Sequence, residues 1–204
     1  MSVMRRLGSF IRALAAGAGA IGAGGAPAQT IALDSLFGIR MGALLETQLS
    51  ECPKNEKGAY DDFFQKTDKP CWVPLQYYKG VRLPQKVWDE TRIPFLTPTV
   101  ITREGLIVEI TISAYHDHWR DMERYLVRTY GKPHETKTYK NDSRLFGFST
   151  SRTFSWRANG IALYLNPRQR GDHASIRMVN LAWEAINAKE EEERREARMR
   201  RGNM

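Results

Sequence analysis

At 204 residues, with 42% apolar and 26% charged positions, the chain is sized for one domain or at most two and has the composition of a protein with a packed core. It has no run of about 18 apolar residues, which excludes a conventional membrane-spanning helix. The formal charge of +8 is dispersed among interleaved acids, not gathered into the basic stripe that nucleic-acid binding needs; a mildly basic surface favours anionic partners such as lipid headgroups or cell-wall polymers.

The N-terminus has three successive regions. Met1 to Arg12 carries three arginines and no acid, Ala13 to Ile21 is a short apolar Ala/Gly stretch, and Ala26-Pro27-Ala28 matches an A-x-A processing site. Glycines at positions 17, 19, 22, 24 and 25 each cost about 1 kcal/mol inside a helix, so an amphipathic helix belonging to the fold is disfavoured. Residues 1–28 are therefore expected to be a cleavable export signal, and the mature chain to work in the periplasm or outside the cell. Loss of Arg5, Arg6 and Arg12 would lower the formal charge from +8 to +5. The Arg5-Arg6 pair suits the twin-arginine route, but the residues after it fit general secretion better, and no cysteine stands at the processing site to carry a lipid.

Two cysteines, Cys52 and Cys71, have 18 residues between them. An even count in an exported chain predicts a disulfide, worth about 3 kcal/mol in the chain-entropy model. A redox pair would favour C-x-x-C spacing, and a structural zinc would need four ligands.

In chain order, Leu36 to Gly42 predicts a short strand ending at glycine, and Ala43 to Ser50 a short helix burying Leu44, Leu45 and Leu49. Residues 53–98 hold six prolines among many aromatics, which predicts an irregular segment with any strands confined to edges. Large aromatics are mostly buried, so the segment is expected chiefly to cover the core. Long irregular segments also carry function, which makes Trp72, Tyr77, Tyr78 and Trp88 the candidate binding residues. Thr99–Thr102 and Leu106–Ser113 predict a hairpin around Arg103-Glu104-Gly105.

Asp117 is placed to cap a helix bearing Trp119, Met122, Tyr125, Leu126 and Tyr130, with Gly131 and Pro133 to stop it. Arg152–Ala158 and Ile161–Asn166 flank Asn159-Gly160, a type I′ hairpin signal, and Ser175–Trp183 predicts the last strand. The fold expected is α+β: an antiparallel sheet, β-β-α-β-β-β from residue 99, with one helix on one face, preceded by the disulfide-tied irregular segment. Residues 29–184 form that domain and 185–204 a charged helical tail that supports itself through Glu-to-Arg pairs.

Little in the chain points to catalysis. His116-Asp117-His118 is the one cluster to weigh as a metal or acid–base site, but it falls where a strand becomes a helix, and capping explains it. There is no G-x-S-x-G elbow and no glycine-rich phosphate loop in the mature chain. No catalytic residue, metal or cofactor is assigned.

Phe37-Gly38-Ile39-Arg40-Met41-Gly42, Tyr130-Gly131-Lys132-Pro133 and Phe154-Ser155-Trp156 resemble a pattern of uncharacterised exported proteobacterial α/β proteins. Across residues 36–183 the chain is also similar to the small envelope modules of the SmpA/OmlA outer-membrane-assembly lipoproteins. It departs from them in lacking a lipidation cysteine and in carrying the proline-rich segment. The resemblance implies a periplasmic, non-enzymatic role and supplies no catalytic residue. The function expected is that of an envelope-associated binding protein with an envelope protein, lipid or glycan as partner. The alternative is a small envelope enzyme using the His116/His118 region.

Overall fold

Residues 32–60, 67–93, 97–143, 147–167 and 173–202 are described by the computed structural model of the chain. The expected export signal, residues 1–28, lies outside them.

The first unit among the described residues is a minimal hairpin. Strands β1 (Ser35–Leu36) and β2 (Ile39–Arg40) are joined through Phe37 and Gly38 at φ of 53° and 80°, the two positive values of a type I′ turn. It replaces the single strand expected over 36–42, because the positive-φ pair reverses the chain and brings Leu36 and Ile39 opposite each other in the core. Helix α1 (Leu45–Gln48) is a single turn. Leu45 and Leu49 are buried as expected, whereas Leu44 is 47% exposed: it precedes the helix in extended backbone and bridges to Leu106.

The proline-rich segment is more regular than its composition suggests. Strand β3 (Ser50–Glu51) pairs with β4 (Cys71–Pro74), β4 with β5 (Lys79–Arg82), and helix α2 (Gln85–Thr91) follows. Prolines sit where a missing N–H costs little. Pro70 precedes β4, Pro74 ends it, and Pro84 occupies the residue before α2.

Then come β6 (Thr97–Arg103), β7 (Leu106–Tyr115), a tight turn at His116–His118 and helix α3 (Trp119–Tyr130). They are followed by β8 (Glu135–Ser143), β9 (Gly147–Ala158), β10 (Ile161–Asn166) and β11 (His173–Asn180). The fold is α+β with helix packed on sheet. Among the described residues nine strands form one sheet in the order β3-β4-β5-β6-β7-β11-β10-β9-β8. The sheet is mixed rather than purely antiparallel, since β3 and β4 run parallel. Strand β8 was not expected: Glu-Thr-Lys-Thr-Tyr-Lys has no apolar alternation because an edge strand can leave both sides in water.

One sheet face makes the core. Ile110 pairs with Met178 and Ile112 with Ile176, and strand alternation puts all four on the same side with Val100, Leu163, Leu165 and Trp156. Met122 and Leu126 of α3 close over it. Trp156, 1% exposed, donates its ring N–H to the Gly131 carbonyl at 2.9 Å, tying β9 to the end of α3. The final strand stops at Asn180 instead of Trp183. The Asn180 side-chain oxygen accepts from the backbone N–H of Ala182 at 2.9 Å and of Trp183 at 3.2 Å, and so starts helix α4 (Leu181–Gly202) early.

Candidate functional site

The β4–β5 hairpin gathers Trp72, Tyr77 and Tyr78, three of the four aromatics singled out from the sequence. Its base is held twice. Cys52 and Cys71 form the expected disulfide, S–S 2.06 Å, and both pack with Val73 in a small buried cluster capped by Tyr60. Across the strands, Lys79 Nζ lies 4.6 Å from the Trp72 ring centroid, a cation–π contact on a half-buried indole that also touches the main core.

The tip turns tightly. Leu75 N–H donates to the Tyr78 carbonyl at 3.0 Å, and Gln76 Nε2 to the Tyr77 hydroxyl at 2.9 Å. Tyr77 is 82% and Tyr78 44% exposed, and Leu75 is exposed beside them. Because Lys79 pairs with Val100, the tip runs toward the Ile101–Arg103 end of β6. Ile101, Leu106 and Leu44 are also exposed, and Leu44 bridges to Leu106 at the β6–β7 turn end.

Trp88 sits apart, in α2. It packs on the core and donates its ring N–H to the Leu83 carbonyl at 3.3 Å, so its polar atom is already used inside the fold. The expectation that aromatics of this segment cover the core describes Trp88 and in part Trp72, but not Tyr77 and Tyr78.

Close to the disulfide, the Tyr60 hydroxyl donates to Glu51 Oε1, and Lys54 Nζ lies 3.7 Å from the same oxygen. The hydrogen bond to Glu51, followed by desolvation and the carboxylate charge, pushes the Tyr60 phenol up to about 12.

Sequence reasoning missed an ionic cluster on the sheet face opposite the core. Arg177 on β11 donates to Glu109 on β7 at 2.9 Å and to Glu184 on α4 at 2.6 Å, and Tyr164 on β10 reaches Glu184 at 3.4 Å. Four elements contribute one residue each, so no local pattern announces it. Nearby, Arg103 lies over the Trp183 ring at 5.2 Å and 3.9 Å from Glu190, which holds the first turns of α4 against the sheet.

Of the candidate histidine cluster, His118 is engaged locally. His118 Nδ1 lies 3.5 Å from Asp121, and Asp121 accepts from Arg124. Among the described residues no three His, Cys, Asp or Glu side chains converge as a metal site, and no helix is long and apolar enough to cross a membrane.

The fold and this geometry define a disulfide-tied α+β protein presenting an aromatic hairpin. Comparison with protein-family models, with curated proteins and with solved structures finds no match to the chain.

Proposed function

We propose that this chain is an exported, envelope-associated binding protein that holds its partner through the tip of the β4–β5 hairpin. The observation that carries the reading is Tyr77, a large aromatic left 82% exposed beside Tyr78 and Leu75 on a turn whose base is disulfide-bonded. Exposed tyrosines on a rigid support suit recognition: they offer wide amphipathic area and lose little rotamer freedom on binding. The braced hairpin keeps that ordering cost low. Partners of the matching chemistry are an envelope protein, a lipid surface or a glycan, each able to cover an aromatic ring and accept from its hydroxyl.

The export signal read from residues 1–28 and the disulfide together support an oxidising compartment. The test is a photo-crosslinking residue placed at position 77 in intact cells, with exposed Lys137 on the far edge strand as the control position. A discrete adduct at 77 and not at 137 is expected, and its mass and digestion pattern distinguish protein, lipid and glycan. Equal labelling at the two positions would remove the hairpin as the recognition element.

A further inference from the structure

Away from the aromatic hairpin, helices α2 and α3 enclose an open groove of about 1040 Å³, with Asp89, Glu90 and Arg92 on one wall and Asp121, Arg124 and Arg128 on the other. Three acids face three guanidiniums, and the two signs differ in how many members have an ionic partner. Asp89 accepts from Gln85 Nε2 at 2.6 Å, Glu90 lies 3.7 Å from Lys86, and Asp121 is taken by Arg124 and His118. Arg92, by contrast, has no side-chain partner among the described residues, and Arg128 donates only to a neutral acceptor, the Glu90 carbonyl at 3.3 Å. Two guanidiniums, Arg92 and Arg128, thus lack an ionic partner against one carboxylate, Asp89, whose donor is a neutral amide, which leaves the groove an excess of unpaired positive charge.

The backbone supplies an independent sign. Arg92 ends α2 in the left-handed region, φ 57°, with its N–H bonded to the Trp88 carbonyl. Glycine or asparagine is the usual occupant of such a cap, and a longer side chain there is strained. Strain of this kind concentrates at ligand clamps. Tyr125 and Thr129 line the same groove, the Arg128 guanidinium lies 5.9 Å from the Tyr125 ring, and Phe37 backs that ring at 4.9 Å. Burial pushes the Tyr125 phenol up, against the opposing effect of a hydrogen bond from the Thr129 side chain.

We propose that the α2–α3 groove binds a small organic phosphate, with Arg92 and Arg128 contacting the phosphoryl oxygens and the Tyr125 hydroxyl, itself held by Thr129, completing the donor set. Guanidinium forks match phosphate geometry, and a phosphate monoester presents three terminal oxygens where a carboxylate presents two. The volume exceeds what an inorganic ion fills, which leaves room for the organic part.

Calorimetric titration of the full chain with glycerol 3-phosphate, inorganic phosphate and acetate tests this. R92G is the decisive variant, since glycine adopts the left-handed cap without strain while removing the whole Arg92 side chain with its guanidinium. R128Q is the second, and R120Q, on the exposed Arg120 stacked over Trp119, is the control. Glycerol 3-phosphate should bind more tightly than acetate. Affinity should fall about tenfold or more in R92G and in R128Q and stay unchanged in R120Q, with thermal melts confirming that the variants fold. Absence of binding at millimolar glycerol 3-phosphate, equal binding of acetate, or undiminished binding by R92G would overturn the proposal. Binding to phosphatidylglycerol vesicles without binding to free glycerol 3-phosphate would also overturn it, by assigning the charge to a membrane surface instead of a small ligand.

Discussion

Arg177 and Glu109 meet across neighbouring strands, Nη2 to Oε2 at 2.9 Å, on the face of the sheet that the core does not use. Burial alone would push this guanidinium toward its neutral form; the hydrogen bond and charge of Glu109, seconded by Glu184, reverse that and hold its pKa above the ordinary arginine value. The pair therefore stays ionised and also anchors α4, because Glu184 belongs to that helix.

Replacing the guanidinium leaves two carboxylates side by side without a counter-charge. Arg177→Met is expected to destabilise the fold by about 2 kcal/mol, reduced from the deeply buried case because the side chain is partly solvated. Urea denaturation measures the loss. Amide exchange should show the first turns of α4 opening before β7 and β11, and an unchanged exchange pattern at Leu181–Glu190 would show that the cluster does not anchor the helix.

The Cys52–Cys71 bond closes a loop that contains the residues leading into the hairpin. Its removal by the double change Cys52→Ala and Cys71→Ala should cost about 3 kcal/mol. The oxidised wild type and the variant should differ in denaturant midpoint, while the reduced wild type should match the variant. Protection should fall first in β3 and β4, beside the disulfide, with the main core, which lies in a separate cluster, less affected.

Tyr60 titrates late. With its folded pKa raised to about 12 against an unfolded value near 10, its contribution to stability is complete below pH about 10. That contribution is lost as pH rises through the interval from about 10 to about 12, because the unfolded chain releases the proton first. Tyr60→Phe should flatten that part of the stability curve. Glu51→Gln removes the acceptor charge and should bring the late-titrating phenol back toward the ordinary tyrosine range in an absorbance titration.

Two aromatics should respond in opposite ways. Trp156→Ala empties a fully buried site and frees the Gly131 carbonyl, for an expected cost of about 4 kcal/mol. Tyr77→Ala should change stability by less than about 0.5 kcal/mol, since that ring touches mostly solvent. Thermal unfolding separates the two, and a large loss from Tyr77→Ala would mean the ring serves the fold.

Where local chemistry decides local structure, the amino-acid order was enough. Asn159 and Gly160 take φ of 52° and 74° and turn β9 into β10, Gly131 closes α3, and Met122 and Leu126 fall on the buried side that their spacing required. The disulfide followed from cysteine count and an export-like leader. The candidate aromatics were legible as a composition, but not their sorting: Trp88 entered the core and Tyr77 stayed outside because helix and hairpin geometry, not hydrophobicity, set which ring met water.

Long-range pairing accounts for the rest. Strand β8 carries no apolar signature because its pairing partner, not its side chains, recruits it to the sheet edge. Strands β4 and β5 pair with each other and β5 also with β6, so the prolines read as interruptions mark boundaries instead. The Arg177 cluster and the groove between α2 and α3 join residues dozens of positions apart. Turns, helix phase and the cysteine bridge depend on neighbours along the chain and can be read there; edge strands, charge clusters and clefts depend on which distant segments arrive together, and packing of the whole chain makes that choice.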